Sequence, residues 1–418
     1  MRIALVVHKF PPSSMGGTEN YTLNLAQELS RRGHPVFVFY RAEPPVANAQ
    51  MSWEDRPGFR ACRVSGGFDI KTASAPTKFL DTFYSRGIER AFGRFLDESR
   101  PDLVHFQHVM WLSYRLIAMA KQRGLPAVLT LHDYWFLCAN SQLIWPDAQV
   151  CQGKAGGLNC ARCALAQAHW PGGNLLRPVI APAFLWRDAL VRGAALRADR
   201  WIAPSHFLIE RYVKAGFPVE RFVYLENGTD VEHIHRYPRQ PSAGGAMRFA
   251  YLGSLAWQKG VHIVVQAFRG IPAEKAVLRI YGDRGVFPDY AASLQQVADP
   301  ANTSFPGAVP NEEVGRVLAE TDVIVVPSLW YENSPMVIQE AFAAGVPVLG
   351  SQLGALSEKV RPDVDGWLYP AGDVVAWHMA MLSLAEHPER VKQCHETIPA
   401  ALTVQQHTDL LEDIYERM

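Results

Sequence analysis

The sequence predicts an α/β protein with two doubly wound parallel sheets, and three observations predict it. Short, continuous apolar and β-branched runs recur along the chain, as at Ile3–Val7, Leu103–Phe106 and Val323–Val326. Longer segments with helical periodicity separate them, the pattern of strands covered on both faces by crossover helices. The series pauses at a Pro-, Ser- and Gly-rich stretch, 237–246, and then starts again.

In order, the first series has expected strands at Ile3–Val7, Val36–Tyr40, Leu103–Phe106, Ala127–Leu131, Trp201–Ala203 and Phe222–Leu225. Helical spacing falls at Thr18–Arg31, Phe79–Glu98, Leu112–Arg123 and Phe207–Ala215, with Thr18 a candidate cap of the first helix. The second series has strands at Phe249–Leu252, Val277–Tyr281, Val323–Val326 and Val346–Leu349, and helices near Val261–Phe268, Glu312–Ala319 and Pro335–Ala344. The expected division is therefore 1–240, 241–395 and a closing helical segment 396–418. Ligands of such sheets bind beyond the carboxyl ends of strands, so the residues just after each strand carry the functional interest.

The chain has 418 residues, enough for two or three domains. Its 41 Lys plus Arg balance 41 Asp plus Glu, which argues against a nucleic-acid coat. The neutrality conceals two unlike halves. Residues 1–240 hold 29 basic and 20 acidic side chains, and residues 241–418 hold 12 and 21. No apolar run approaches the roughly 18 residues that span a bilayer, and Ile3–Val7 is too short for a signal-peptide core. The cytoplasm is the expected compartment, and there the six cysteines are expected as thiols or metal ligands. There is no Walker A motif, and no G-x-G-x-x-G follows a strand, so ATPase and ordinary dehydrogenase chemistry has little support.

The richest segment follows Val326. Pro327-Ser-Leu-Trp-Tyr-Glu332-Asn333-Ser334-Pro335-Met336-Val337-Ile-Gln-Glu340 reads as strand, loop and helix, with Ser334 as cap and Pro335 as first helical residue. The free N–H groups at the helix start would suit a diphosphate, and Glu332 and Glu340 could meet one ligand at two depths. Eight-residue spacing of two glutamates is commonplace; the strand–cap–helix context gives it meaning.

This stretch resembles the paired-glutamate motif of retaining family-4 glycosyltransferases with the GT-B fold, two Rossmann-like domains facing a cleft. The resemblance implies that Glu332 touches the donor sugar, that Glu340 holds the nucleotide ribose, and that Asn333 to Val337 offer backbone donors. Gly16-Gly17 is similar to the family's N-terminal glycine loop, and His132, in Leu131-His132-Asp133, to the histidine beside the donor sugar. Leu252-Gly253-Ser254 and Lys259-Gly260 resemble the segment whose basic residues neutralise the departing diphosphate. Lys259 matches, while Ser254 stands where the family has arginine. Glu226–Asp230 matches a turn before the linker, and Tyr281-Gly282 and Phe305–Val309 resemble loops near the base. Asp363-Val-Asp365 could pass for a metal-binding Asp-x-Asp, but Asp365-Gly366 is a turn signal, so no catalytic metal is expected.

The implied activity is transfer of a hexose from a UDP- or GDP-sugar to a glycan or lipid-linked acceptor, without nucleic acid. Alternatives are a nucleotide-sugar epimerase or phosphorylase, or a non-catalytic scaffold, the last motivated by Ser254. The final helix, 404–418, is expected to return to the first domain, as in GT-B relatives.

Cys138, Cys151, Cys160 and Cys163 lie within 26 residues, forming a cysteine loop 138–163. Cys160-Ala-Arg-Cys163 has C-x-x-C spacing, so a structural zinc is one reading; buried thiols, a disulfide or an iron–sulfur centre are others. The basic first domain could also meet a membrane face, through the helix at 79–98 or the arginines 187, 192, 197 and 200.

Overall fold

The structure is a computed structural model that describes residues 1–12, 14, 16–42, 50–65, 74–147, 149–168, 173–240 and 245–418. Residues 241–244 of the expected linker lie outside them. The chain forms two compact units: unit 1 comprises 1–146, 152–228 and 404–418, and unit 2 comprises 147–151 and 229–403.

The sheet of unit 1 contains β1 (Ile3–Val7), β2 (Val36–Ala42), β3 (Gln50–Arg56), β4 (Phe59–Ser65), β5 (Leu103–Phe106), β6 (Ala127–Thr130), β7 (Arg200–Ala203) and β8 (Phe222–Tyr224). Their spatial order is β3-β4-β2-β1-β5-β6-β7-β8, parallel except for the β3–β4 pair. The helices are α1 (Gly17–Arg31), α2 (Ala75–Asp81), α3 (Arg86–Ser99), α4 (Leu116–Gln122), α5 (Leu158–Gln167), α6 (Arg177–Ala195) and α7 (His206–Lys214). Strand order reverses between β1 and β5, so the crevice of this sheet opens beyond their carboxyl ends.

Unit 2 adds α8 (Val231–His235), β9 (Met247–Leu252), α9 (Val261–Phe268), β10 (Ala276–Tyr281), α10 (Pro288–Val297), β11 (Thr303–Gly307), α11 (Val314–Ala319), β12 (Val323–Val326), α12 (Met336–Ala343), β13 (Val348–Ser351), α13 (Leu356–Lys359), β14 (Gly366–Tyr369), α14 (Val374–Glu386) and α15 (Pro388–Thr397). The order β11-β10-β9-β12-β13-β14 is wholly parallel and reverses between β9 and β12. Successive side chains of a strand serve opposite faces. Along β9, Phe249 and Tyr251 join the cluster of Val264, Phe268 and Trp377, while Ala250 joins that of Ile324, Ile338 and Val346.

Helix α16 (Val404–Glu416) belongs to unit 1 and packs on α1. Arg32 reaches Glu412 at 2.6 Å, His34 reaches it at 2.7 Å, and Tyr415 bonds His105 at 2.6 Å.

Several expectations need correcting. The helix expected over 79–98 is two helices, because Ser85 breaks out to cap α3 at Ile88 N while Asp81 turns to Arg41 at 2.8 Å. The helix expected from Leu112 starts at Leu116, after Ser113 bonds the Arg115 N–H instead. By contacts, 229–240 and 396–403 group with unit 2, as 147–151 do, since α8 packs on α11 and α12, and α15 on α14. Phe305 lies in edge strand β11 and not in a loop. The Asp363–Asp365 segment is a turn, held by Arg390 on Asp363 and by Arg361 on Asp365.

Candidate active site

In unit 2 the loops after β9 and β12 meet at the point where strand order reverses. Glu332 is 5% exposed, and its Oε1 accepts three donors: Lys259 Nζ at 2.8 Å, Ser328 Oγ at 2.6 Å and Trp330 Nε1 at 2.9 Å. The Lys259 ammonium also lies 5.2 Å from the centroid of the Trp330 ring. A buried carboxylate is tolerable only with such pairing, so the loop after β12 is built around a cation supplied by the loop after β9.

Gly260 makes this approach possible. Its φ is +71°, and a Cβ placed there would overlap the Pro327 carbonyl oxygen. Leu329 N donates to Gln258 O at 2.9 Å, clamping the two loops. Gly253 ends β9 at φ +153°, and beyond it Tyr251 Oη donates to Ser254 O at 2.8 Å. The Ser254 side chain is exposed.

The helix start differs by one residue from the expectation. Pro335 is the residue before α12, with φ −62° and ψ 119°, and Met336 is its first residue. Ser334 caps no helical N–H; its hydroxyl accepts from Gln339 Nε2 at 3.4 Å. Proline's own extended ψ holds Ser334 off the helix. Asn333 is buried, and Met336 and Val337 are half-buried. Further along α12, burial pushes the Glu340 carboxyl up to about 6, with nearby His233 acting in the opposite direction. Among the described residues Glu340 accepts no side-chain hydrogen bond.

In unit 1, His132 follows β6. Its Nε2 lies 2.9 Å from Gln107 Oε1, its ring 5.0 Å from that of Tyr21. Burial, reinforced by His108, pulls its pKa down to about 3, so the imidazole is neutral at ordinary pH.

Asp133 accepts from His108 Nε2 and from Trp135 N, both at 2.8 Å. Burial works against its charge, yet His108 holds it below the usual carboxylate range. The His8 ring is 4.6 Å from that of His108, and His8 Nε2 is 3.7 Å from Glu19. Gly16 sits at the cap position of α1, and Gly17 is its first residue, so Thr18 is not the cap. A Cβ on Gly16 would meet Glu19 Oε2 at 2.5 Å.

His8, Gln107 and His108 are site neighbours that sequence reasoning missed. All three directly follow β1 or β5, and that position was the signal available.

The turn carrying His132 is braced from behind. Arg187 donates to Trp135 O at 2.7 Å, pairs with Asp188 at 3.0 Å and is completely buried, while Tyr212 Oη donates to Asp133 O at 2.9 Å. Arg187 therefore faces no membrane, and Arg192 donates to Gly216 O. The apolar side of α3, with Ile88, Phe92 and Phe95, is buried in the core as well.

Cys62 and Cys394 are buried free thiols, away from the cysteine loop. Cys138 Sγ contacts Asn140 Oδ1 at 2.6 Å, and Asn140 Nδ2 reaches Cys163 Sγ at 3.3 Å. Cys151 groups with unit 2, the other three with unit 1. Among the described residues no three His, Cys, Asp or Glu side chains converge as a metal-holding group.

Two parallel sheets, each with its reactive side chains at the reversal of strand order, and a buried Lys–Glu pair in the second, define a glycosyltransferase of the GT-B class, which comparisons with known proteins support. The profile described as Glycosyltransferase Family 4 matches residues 15–233, and that of Glycosyl transferases group 1 matches 238–401. The chain belongs to glycosyltransferase family 4. It is 27% identical over 381 residues to a GDP-mannose-dependent alpha-mannosyltransferase of Mycobacterium tuberculosis, covering 89% of this chain and 85% of that one. In fold it is similar to HepE of Anabaena, solved in complex with UDP (TM-score 0.67, 16% identity, 100% of both chains). It is likewise similar to sucrose-phosphate synthase of Thermosynechococcus elongatus (TM-score 0.71, 19% identity, 100% of this chain and 98% of that).

Proposed function

We propose that the protein is a retaining hexosyltransferase that uses a UDP- or GDP-sugar and transfers to a glycan or lipid-linked acceptor at the cytoplasmic face of a membrane. One observation carries this reading: the Lys259–Glu332 pair in the loops after β9 and β12, with Glu340 further along α12. Lys259 would stabilise the diphosphate as it departs, together with the N–H groups at the start of α12. With Ser254 in place of an arginine, that work falls mainly on Lys259. Glu332 would bind the sugar and Glu340 the ribose hydroxyls.

His132, being neutral, would hydrogen-bond the sugar without adding charge beside a carbon that becomes electron-deficient. The bond from the anomeric carbon to phosphate oxygen breaks, and the acceptor oxygen bonds the same face. The acceptor's proton passes to the leaving phosphate. No metal and no enzyme nucleophile is needed in this scheme.

A thermal-shift screen with UDP, GDP, ADP and their sugars tests the donor class, and NMR of the product tests retention of configuration. Stabilisation by one UDP- or GDP-sugar and a glycoside of unchanged configuration are expected. Free sugar phosphate or an epimerised donor would instead identify a phosphorylase or epimerase. Zinc in the cysteine loop is a separate proposal that rests on the C-x-x-C spacing alone. Elemental analysis of protein purified without chelators decides it, one zinc per chain supporting it and none overturning it.

A further inference from the structure

Every exposed position of α6 between Pro178 and Gly193 is apolar or glycine, whereas its charged Arg187 and Asp188 point inward and are buried. Val179 is 75% exposed and Trp186 51%, and Leu175, just before the helix, is 87% exposed. A surface helix ordinarily shows water its polar side, so an apolar outward face of this length marks a contact surface.

A basic groove adjoins it. Phe83 touches Trp186 on one side and Tyr114 on the other, with ring centroids 5.8 and 6.3 Å apart. Beyond Tyr114 lies a groove of about 810 Å³ lined by Arg86, Arg90, Arg115 and Arg123. Glu89 pairs with Arg115 and Asp97 with Arg123. Arg86 and Arg90 are exposed, and among the described residues neither has a carboxylate in ion-pair range; Arg86 meets only the Tyr84 hydroxyl, at 2.9 Å.

We propose that the outer face of α6 and the arginine groove beside it form a docking surface for an anionic phospholipid bilayer. The apolar face enters the boundary between headgroups and acyl chains, and the unpaired guanidiniums take lipid phosphates, which they can bind through two hydrogen bonds each. Trp186, Tyr84 and Tyr114 lie between the two zones, where amphipathic rings favour the interface. Charge complementarity separates this occupant from a second copy of the chain. A two-fold contact would bring the same surplus of arginines against itself, with Glu89 and Asp97 already paired to Arg115 and Arg123. The proposal rests on the reading of a membrane-held acceptor only for its use in the reaction, and its test requires no sugar transfer.

Flotation of the full chain with phosphatidylcholine vesicles, with and without about a third phosphatidylglycerol, reads binding directly. Binding to the anionic vesicles alone, weakening with added salt, is expected. Arg86→Glu with Arg90→Glu should weaken it at least about tenfold, and Val179→Ser with Trp186→Ser by a similar factor. Arg86, Arg90 and Val179 are solvent-facing, so the arginine pair should keep the parental melting temperature; Trp186→Ser also gives up its contact with Phe83, and for that variant the unchanged donor-induced thermal shift is the control. Equal binding to both vesicle types, no binding at all, or variants that float like the parent would overturn the proposal. So would a dimer in analytical ultracentrifugation that the Val179/Trp186 variant abolishes. Loss of the donor shift with vesicle binding intact would count against the transferase reading alone.

Discussion

Lys259 and Glu332, 73 residues apart in sequence, are joined by a 2.8 Å ion pair whose carboxylate partner is almost wholly buried. The cation proposed to meet a departing diphosphate is thus also the partner of a buried carboxylate. A diphosphate arriving beside it would compete for the ammonium and leave Glu332 held by Ser328 and Trp330, with its second oxygen available to a sugar hydroxyl.

Removing the ammonium should therefore cost transfer and structure together. Lys259→Met is expected to lower donor kcat/KM by roughly 100-fold or more, the usual loss of one well-placed charged group. Glu332→Gln retains an oxygen for the same donors, so it should lower kcat while changing nucleotide affinity little. Steady-state kinetics with calorimetry on both variants checks this. Parental rates in either would remove that residue from the mechanism.

Gly260 should be less replaceable than other left-handed glycines. Gly260→Ala adds a clash with Pro327 to the strain of positive φ, and should cost about 2–3 kcal/mol. Gly33, at φ +89° with open space around it, should cost only about 1 kcal/mol when changed to alanine. Urea denaturation of the two variants gives the comparison, and equal losses would contradict the account.

Glu340 should trade stability for binding in a pH-dependent way. Its pKa is raised in the fold from 4.5 to about 6, so it favours the folded state below 4.5 and that contribution disappears as pH rises through about 6. Glu340→Gln should therefore melt above the parent at pH 8 and converge with it near pH 4. Nucleotide affinity should fall about tenfold with the lost hydroxyl contacts. A melting difference independent of pH would contradict the buried-carboxylate account.

Acid should loosen unit 1 first. Burial pulls His132 to about 3 and His407 to about 4, and holds His8 and His105 well below 6.5. Groups with depressed folded pKa values add stability that is present above 6.5 and is lost as pH falls towards those values. Unit 2 has fewer, His262 and His395, and its Glu340 moves the other way. Hydrogen exchange at pH 7 and 5, corrected for intrinsic rates, should show β5, β6 and α16 losing protection ahead of β9 and β12.

Much of the fold was legible because buried parallel strands are written as uninterrupted apolar runs: β1, β5, β9 and β12 stand where those runs stand. β3 escaped because Gln50–Arg56 is an edge strand with a polar, alternating pattern. Lys259, Glu332, Glu340 and His132 are marked in the sequence by their resemblance to family-4 motifs that begin after strands. That Lys259 and Glu332 bond each other is not marked there, since it depends on β9 lying beside β12, and spatial order is not sequence order. The same reason hid His8 and His108, which meet only because β1 lies beside β5. The outward apolar face of α6 was also hidden, for a sequence does not say that an Arg–Asp pair at 187–188 points inward.

The placement of α16 has a consequence for synthesis. Residues 404–416 complete the side of unit 1 where Arg32, His34, Tyr21 and His105 wait for Glu412, His407 and Tyr415. All of unit 2 is translated before that helix. Emerging from the ribosome, unit 1 must therefore persist unfinished, with buried-to-be histidines exposed, while a second Rossmann-like unit folds as an insertion within it. The neighbouring backbones at Thr229 and Leu402, bonded at 2.8 Å, are where that insertion closes. A released chain ending at residue 403 would carry a folded unit 2 and an open unit 1, the reverse of the order in which they were begun.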